Sequence, residues 1–391
     1  MNFKKLAAAL MAAALCVTGA GCSRSAENSG NTGDTGNTDG TVSDGGSARE
    51  FDTELTAMQL TSDIKIGWNL GNTLDATGGS GLTQETSWGN PAVTPELIQA
   101  VKDAGFNAIR VPTTWERQIG DDGTISADWM SRVQQIVDYA YDLDMYVILN
   151  MHHEEWYQPY ADKEEEISAK LSSCWTQIAE NFKDYDQHLI FEGMNEPRWK
   201  NTDYEWNGGN DEGRTVVNHL NKAFVDAVRA TGGNNQYRFL MVCPYAANST
   251  EPALAALELP DDDRLIVSVH AYIPYSFALA QPGTDKWIAS KVNCTRDIDT
   301  LAEVLDRLFI SKGQAVIIGE CGAMNRDNED YRAQWAQYYF SKFKEIGIPC
   351  FWWDNGAFLS GETFGLFDRS LNEVKYLSLI HISEPTRRVV I

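Results

Sequence analysis

The sequence has few basic residues and no paired pattern of cysteines. Its 391 residues include 32 Lys and Arg against 55 Asp and Glu, which gives a formal net charge of −23. Duplex binding requires a basic face that displaces counterions, so this balance argues against nucleic acid as a partner. Cysteines beyond the N-terminal segment form neither a disulfide framework nor a zinc pattern, and we expect most of them to be small core residues; they are Cys174, Cys243, Cys294, Cys321 and Cys350.

Several common catalytic motifs are also absent from the sequence. It contains no G-x-S-x-G nucleophile elbow and no H-E-x-x-H metal motif. Gly67 and Gly71 do not form the Gly-rich phosphate loop of a nucleotide-binding fold. His152 and His153 offer two metal ligands, but neighbouring side chains of a strand point to opposite faces of its sheet. We therefore expect no metal and no other cofactor.

The N-terminal segment has the features of an export signal. A Lys-Lys pair at residues 4–5 precedes a short apolar run over residues 6–17, which is typical of a secretory signal and too short for a membrane span. The segment ending at Cys22 resembles the lipobox of bacterial lipoproteins, although Gly19 replaces the usual Leu or Val. We expect a signal peptide over residues 1–22 and a lipid anchor on Cys22 at the cell surface. Ordinary cleavage would instead release a secreted protein.

Two atypical segments flank the remaining domain. Residues 23–50 consist largely of Gly, Ser, Thr, Asn and Asp, a composition that predicts a flexible linker. Residues 377–391 read LSLIHISEPTRRVVI, which is typical of translated sequencing-adapter DNA, and we expect this tail to be non-native. Segments of foreign origin are excluded from reasoning about fold. A single catalytic domain is therefore expected over residues 51–376.

Short apolar runs alternate with amphipathic segments from residue 64 onward. Strict alternation implies parallel pairing with right-handed crossovers, and eight such units predict a (β/α)8 barrel, with a doubly wound sheet as the alternative. The predicted strands cover residues 64–70, 106–111, 145–151, 188–194, 238–243, 265–269, 315–319 and 350–353. The predicted helices cover residues 94–105, 126–142, 164–182, 213–230, 252–257, 298–311 and 331–346.

The eighth helix is expected to be missing, because the foreign tail stands where it should be. Without it, we expect the outer faces of the last and first strands to lose their apolar cover. Burying one large apolar side chain is worth about 1.5–3 kcal/mol, which is a large share of a total stability of about 5–15 kcal/mol. The chain is therefore expected to fold poorly.

Polar side chains recur where the predicted strands end, which is where barrel enzymes carry their active sites. The strand ends deliver Asn69 and Asn72, Arg110, His152 and His153, Asn195 and Glu196, His270 and Tyr272, Glu320, and Trp353 and Asp354. Two glutamates from separate strands are what hydrolysis of a glycosidic bond requires, because one carboxyl protonates the leaving oxygen while the other stays ionised opposite it. The 12 tryptophans add aromatic faces against which sugar rings pack.

A set of motifs in register resembles glycoside hydrolase family 5. They are Ile109-Arg-Val-Pro112, Met151-His-His153, Asn195-Glu-Pro197, Val269-His-Ala-Tyr272, Ile318-Gly-Glu320 and Phe351-Trp-Trp-Asp-Asn355. The opening Gly67-Trp-Asn-Leu-Gly-Asn-Thr-Leu-Asp75 resembles subfamily 4, the endo-β-glucanase and xyloglucanase branch. The resemblance spans residues 54–376. It departs from the family pattern at Cys321, where Phe is common, and after the eighth strand.

The resemblance implies a retaining endo-β-1,4-glucanase that acts on plant cell-wall β-glucans through a covalent glycosyl-enzyme. It makes Glu196 the general acid/base and Glu320 the nucleophile. Supporting roles are implied for Arg110 and Tyr272 as hydrogen-bond donors to Glu320, for His270 near both glutamates, and for Asn195 as a ligand of the sugar 2-hydroxyl. Substrate contacts are implied for His152, His153, Trp353, Asn72 and Asp75.

Specificity and the role of the loop tryptophans stay open. The same glutamates serve xyloglucan, mixed-linkage glucan, xylan and mannan, and a non-catalytic surface glycan-binding lipoprotein is the alternative outside the enzymes. Trp352 is expected in the core, whereas sugar stacking and loop packing are equally good interpretations of Trp88, Trp156, Trp199, Trp206 and Trp287. Trp88 is included among the candidate substrate contacts. We expect a monomer whose partner is a β-linked polysaccharide.

Overall fold

The computed structural model describes residues 49–380. The predicted signal peptide, the candidate acylation site Cys22, nearly all of the linker and residues 381–391 of the tail lie outside the described residues. Within the described range, no helix is both long and apolar enough to cross a bilayer.

Eight parallel strands close into a barrel in chain order, with β1 paired to β8, which confirms the (β/α)8 prediction. Each strand lies within, or within two residues of, its predicted range. They are β1 Gly67–Leu70, β2 Ala108–Val111, β3 Tyr146–Asn150, β4 Leu189–Glu192, β5 Leu240–Val242, β6 Leu265–His270, β7 Ala315–Cys321 and β8 Cys350–Asp354. Because all eight run in the same direction, their C-terminal ends meet at one rim.

All seven predicted helices are present, and residues 49–380 contain two further short α-helices that were missed. The helices are α1 Ala57–Asp63, α2 Pro95–Asp103, α3 Ala127–Tyr141, α4 Glu164–Asn181, α5 Asp211–Ala230, α6 Glu251–Ala255, α7 Tyr275–Ala278, α8 Val292–Leu308 and α9 Glu329–Glu345. Helix α2 begins as predicted, since the Thr94 hydroxyl accepts the backbone N–H of Leu97 at 3.3 Å and Pro95 occupies the first turn. The missed helices are α1 and α7, each of seven residues or fewer.

Helix α1 packs at the N-terminal end of the barrel. Its Leu60 belongs to the same buried cluster as Ile190 and Phe351, which point into the barrel interior. The aromatic ring of Phe351 also explains Gly67, because a Cβ there would lie 2.1 Å from a carbon of that ring. The barrel is therefore a packed core and its open end is the rim that carries the polar residues.

The segment that follows β8 covers the outer faces of the first and last strands. Strands β9 (Phe367–Asp368) and β10 (Glu373–Val374) form a small antiparallel pair there, and no α-helix follows β8 within residues 355–380. Trp68 and Trp352 are nonetheless buried at 0% and 1% exposure. Phe367 packs edge-on against Trp68 at 5.7 Å between ring centroids. The expectation that these faces lose their apolar cover is wrong, because an irregular segment replaces the helix.

A buried pair, Asp354 and Arg369, ties this segment to the barrel. Asp354 accepts the indole N–H of Trp68 at 2.9 Å and two backbone N–H groups of the C-terminal segment at 3.0 Å. Arg369 donates to the carbonyl of Gly71 and to the hydroxyl of Thr73, both at 2.7 Å. The C-terminal segment therefore also holds the loop that follows β1.

Part of the tail suspected to be foreign is packed against the domain. Leu379 and Ile380 are buried at 1% and 5% exposure, and both join the main apolar cluster. That the tail is non-native stays a prediction, because most of it lies outside the described residues.

The five cysteines of the domain are free thiols. Four are buried as expected, and Cys294 is only partly buried. Cys321, which stands where the family usually has Phe, is fully buried in the main apolar cluster, so it acts there as a small apolar residue.

Candidate active site

The end of β4 carries Asn195 and Glu196 to the rim. The backbone N–H of Asn195 donates to the carbonyl of Met151 at 2.9 Å, which holds the chain against the end of β3 after the strand itself has stopped. Gly193 is required at this point, because a Cβ would lie 2.5 Å from the ring of Phe224. Pro197 then turns the chain away from the barrel, since it offers no N–H for further strand pairing.

Glu196 and Glu320 face each other across one histidine. Carboxylate oxygens of the two glutamates and a ring nitrogen of His270 all lie within 4.8 Å of one another. Nδ1 of His270 is 2.9 Å from Glu196 and 3.7 Å from Glu320. The hydroxyl of Tyr272 donates at 2.8 Å to Oε2 of Glu320, the same oxygen that lies nearest His270. The predicted contacts of Tyr272 with Glu320, and of His270 with both carboxylates, are confirmed.

Arg110 pairs with the carboxylate of Glu320 and is completely buried. Its guanidinium donates to Glu320 at 2.8 Å, to the side-chain oxygen of Asn195 at 2.7 Å and to Glu192 at 2.6 Å. Burial alone would lower the pKa of Arg110, but the charges of Glu192 and Glu320 raise it. The predicted hydrogen bond from Arg110 to Glu320 is confirmed, and the guanidinium also fixes the Asn195 amide.

Glu192 is a site residue that sequence reasoning missed. It was included in the apolar stretch of β4, yet its carboxylate is fully buried and accepts hydrogen bonds from Arg110, the Asn150 amide and the Ser268 hydroxyl. Glu192 could have been identified from the sequence, because it is a lone charge inside a run of apolar strand residues. Buried charges are almost always paired, so such a residue predicts a buried partner.

Glu196 and His270 share a hydrogen bond, and each shifts the pKa of the other. Burial would raise the pKa of Glu196, but the hydrogen bond from His270 and the positive charges of His270 and Arg198 lower it below its usual value. Burial would likewise lower the pKa of His270, whereas the charges of Glu320 and Glu196 raise it. Each member of this hydrogen-bonded pair therefore favours the charged form of the other.

His152 and His153 lie together at the rim. Their ring centroids are 4.4 Å apart, so the expectation that they point to opposite faces is wrong. Strand β3 ends at Asn150, and the strict alternation of strand side chains ends with it. The His152 ring is also parallel to Trp353, with an interplanar angle of 4° and centroids 5.7 Å apart. Burial lowers the pKa of His152 well below its usual value and that of His153 to about 4, so both rings are neutral at pH 7.

Asp75 lies below the rim with no exposed surface. Its two oxygens accept the backbone N–H groups of Asn72 and Thr73, at 2.9 and 2.6 Å. Burial raises the pKa of Asp75 to about 6 despite these hydrogen bonds. Asp75 thus shapes the loop after β1, and one of its carboxylate oxygens lies within 4.8 Å of ring nitrogens of His152 and His153. Its contact with substrate stays a prediction. Asn72 is partly exposed, and its contact with substrate stays a prediction.

Two groups of side chains bring possible metal ligands together within residues 49–380. One is Asp75 with His152 and His153, and the other is Glu196 with His270 and Glu320. In the first group both Asp75 oxygens already accept backbone N–H groups. In the second, Glu320 already accepts hydrogen bonds from Arg110 and Tyr272. The carboxylate oxygens of Asp75 and Glu320 are thus used within the protein. The expectation of no metal stays a prediction.

The sequence of residues 73–359 matches the cellulase family, described as glycosyl hydrolase family 5. The chain belongs to glycosyl hydrolase family 5. This agrees with the resemblance drawn from the strand-end motifs.

The proteins that resemble this family 5 enzyme are named as endoglucanases. Endoglucanase A of Ruminococcus albus is 46% identical over 324 residues, which cover 81% of this chain and 89% of that protein. A GH5-4 broad-specificity endoglucanase from Ruminococcus champanellensis, solved with bound cellotriose, superposes with a TM-score of 0.82 at 44% identity, covering 84% of this chain and 98% of the other. A GH5 xyloglucan-specific endo-β-1,4-glucanase from a metagenomic library, in complex with cellotriose, has a TM-score of 0.81 at 43% identity with the same coverage.

The loop tryptophans of this family 5 enzyme divide into three groups by exposure. Trp199 and Trp287 are buried at 8% and 1% exposure, and each indole N–H donates to a backbone carbonyl, so both pack the loops. Trp156 is half-buried beneath Lys170. Trp88 and Trp206 are exposed at 42% and 56% and are the candidates for sugar stacking. Trp352 is in the core as predicted.

Proposed function

We propose that this family 5 enzyme is a retaining endo-β-1,4-glucanase of plant cell-wall β-glucans. The observation that carries the proposal is the approach of Glu196 and Glu320, whose carboxylate oxygens lie within 4.8 Å. Retaining enzymes place their carboxyl groups about 5–5.5 Å apart, whereas inverting enzymes leave about 6.5–9.5 Å for a water molecule. The spacing favours direct attack by one carboxylate.

In the first step, Glu320 attacks the anomeric carbon and the glycosidic bond breaks. Glu196 gives its proton to the departing oxygen, and the product is a glycosyl ester of Glu320. In the second step, Glu196 removes a proton from water, the water oxygen bonds to the anomeric carbon, and Glu320 is released. Both glutamates return to their starting states.

The neighbouring residues hold these two carboxylates in place. Arg110 and Tyr272 donate to Glu320 from two directions, which fixes its position for attack. Because the side-chain oxygen of Asn195 accepts from Arg110, its amide N–H group is the one that can donate to the sugar 2-hydroxyl. His152 and Trp353 stack in parallel and are proposed to bound the subsite of the ring under attack.

Hydrolysis of a soluble β-1,4-glucan with retention of configuration tests the proposal. We expect new reducing ends on carboxymethylcellulose, and NMR of the first products should detect the β anomer before mutarotation. Xyloglucan, mixed-linkage glucan, xylan and mannan assayed in parallel would rank the backbones. First release of the α anomer would refute the retaining mechanism. Failure to release reducing ends from any of the five would favour a non-catalytic glycan-binding role.

Replacement of the general acid should depend on the leaving group. We expect Glu196→Ala to reduce kcat/KM on glucan by about 10²–10⁴-fold, the usual contribution of general acid catalysis. Cleavage of dinitrophenyl cellobioside should be affected far less at the glycosylation step, because that leaving group needs no proton. Glu155→Ala, a carboxylate on the β3 loop with a side chain 63% exposed, is the matched control. Equal losses on both substrates would contradict the acid role.

We also propose that the enzyme is exported and anchored to the cell surface through lipid on Cys22. The basic pair, the apolar run and the lipobox-like sequence support this proposal. Expressed with its own N-terminus in a bacterium, the protein should partition into the detergent phase of Triton X-114. Cys22→Ser should move it to the aqueous phase. A wild-type protein that stays aqueous would instead fit ordinary cleavage and secretion.

A further inference from the structure

The chain beyond Pro197 forms a loop that carries an arginine and an exposed tryptophan beside the general acid. Arg198 lies over the ring of Trp206, with its guanidinium carbon 4.0 Å from the ring centroid. This is within the range of a cation–π contact. Trp206 remains 56% exposed, so the guanidinium covers only part of the ring surface.

Arg198 also contacts Glu196 directly. One guanidinium nitrogen donates to the backbone carbonyl of Glu196 at 2.9 Å and lies 3.5 Å from its carboxylate. A second nitrogen donates to Glu205 at 3.3 Å. The guanidinium is largely buried, with 14% of the side chain exposed. Arg198 therefore connects the face of Trp206 to the carboxylate of Glu196.

The loop that presents Trp206 is fixed to its surroundings. The side-chain amide of Asn248 donates to the carbonyl of Trp206 at 3.0 Å. Gly208 follows with a positive φ of +87°, where a Cβ would lie 2.7 Å from the hydroxyl of Thr250. At the start of the loop, the Trp199 ring stacks on Tyr160 with an interplanar angle of 7°. The position of Trp206 is thus set by packing and hydrogen bonds on both sides.

The chemistry of the two glutamates decides which part of a glucan Trp206 can reach. The general acid lies beside the leaving oxygen, whereas the nucleophile lies beneath the ring under attack. Arg198 and Trp206 are attached to Glu196. The stacked pair His152 and Trp353 lies near the nucleophile, with His152 4.0 Å from Glu320. Trp206 therefore flanks the leaving-group side of the scissile bond.

We propose that Trp206 is the stacking platform for the first sugar of the leaving group, and that Arg198 is a positioning residue linking this platform to the carboxyl of Glu196. The proposal rests on the proposed function and specifies the second half of the substrate site. Because Arg198 occupies one face of the indole, the sugar ring packs on the opposite face.

A substrate without a leaving-group sugar isolates the role of Trp206. We expect Trp206→Ala to reduce kcat/KM on cellopentaose and soluble β-glucan by about 10-fold, the equivalent of one well-packed aromatic contact. Cleavage of β-cellobiosyl fluoride, whose leaving group has no ring, should change by less than about twofold on the same reasoning. Trp206→Phe should recover most of the loss. Equal losses on both substrates, or no loss on either, would overturn the platform role.

Tyr237→Ala provides a matched control for loss of an exposed aromatic ring. Tyr237 is 40% exposed and precedes β5 at the opposite end of the barrel, where it packs near Phe51. Its replacement should leave activity on both substrates unchanged. A loss on cellopentaose as large as that of Trp206→Ala would count against a specific role for Trp206.

The pH profile tests the role of Arg198. The charged and titratable groups around Glu196 come from several elements and are His153, Arg198, Glu205, Cys243, His270, Tyr272, Glu320 and Glu362. The carboxyl of Glu196 must be protonated to act as an acid, so its pKa governs the basic limb of kcat/KM. Removing the cation in Arg198→Met raises that pKa, and the basic limb on β-glucan should move up by about 1 pH unit.

Arg198→Lys separates charge from packing. Lysine keeps the cation, so its basic limb should stay within about 0.3 pH units of the wild type. An unshifted limb in Arg198→Met, or equal shifts in both variants, would overturn the positioning role. Failure of the proposed function itself is recognised separately, because the wild-type enzyme would then leave both β-glucan and β-cellobiosyl fluoride intact.

Discussion

Glu320→Gln is expected to reduce glucan hydrolysis by at least about 10⁴-fold, as loss of a catalytic nucleophile usually does. The amide retains the shape of the side chain and can still accept a hydrogen bond from Arg110 or Tyr272, but it cannot form the glycosyl ester. A 2-fluoro cellobioside with a good leaving group should lose that leaving group and label the wild-type enzyme with one 2-deoxy-2-fluorocellobiosyl group, detected by mass spectrometry. The variant should remain unlabelled.

The control for this substitution is the same chemical change at a remote surface position. Glu345→Gln, at the C-terminal end of α9, should keep full labelling and activity. Undiminished labelling of Glu320→Gln would contradict the nucleophile assignment. Labelling that moves to Glu196 would show that the two roles are exchanged.

Arg110→Met is expected to lower the free energy of unfolding by about 3–5 kcal/mol, because it leaves the buried carboxylates of Glu192 and Glu320 without their cation. Activity should fall with it, since the Asn195 amide also loses its anchor. Chemical denaturation followed by tryptophan fluorescence measures the change. Adding Glu192→Gln to Arg110→Met should restore part of the lost stability, because one uncompensated charge is then removed.

Arg132→Met is the matched control for Arg110→Met. Arg132 forms a similarly short pair with Glu85, at 2.8 Å, but its side chain is 14% exposed and lies outside the active site. We expect a smaller loss of stability and unchanged activity. A loss below about 1 kcal/mol for Arg110→Met, the level of a surface ion pair, would contradict the role assigned to the buried network.

Most of the fold was predictable because each strand of a parallel barrel is an apolar run with a polar end. The boundaries were less accurate where burial extends beyond the sheet. Ile64 and Ile66 read as strand residues, yet they precede β1 and are buried at the bottom of the barrel. Helix α1 was missed because its seven residues are too few to show a clear helical period.

The catalytic pair and its neighbours were predictable from strand-end motifs, whereas details beyond strand ends were not. The rings of His152 and His153 meet because β3 has ended, and strand alternation carries no information about the backbone beyond that point. Glu192 was missed because its partner, Arg110, is 82 residues away in sequence. Trp206 could be placed in a loop, but its contact with Arg198 depends on how that loop folds.

Because the irregular segment after β8 packs against β1 and the loop that follows it, the N-terminal part of the domain cannot complete its folding without the C-terminal part. Trp68 on β1 and the loop at Gly71 and Thr73 find their partners, Phe367 and Arg369, some 300 residues later. A chain that leaves the ribosome N-terminus first must therefore keep these apolar and polar groups unpaired until synthesis is almost complete. The domain should therefore fold late in synthesis and in a single cooperative step. Nascent chains shorter than about 370 residues should be protease-sensitive and inactive.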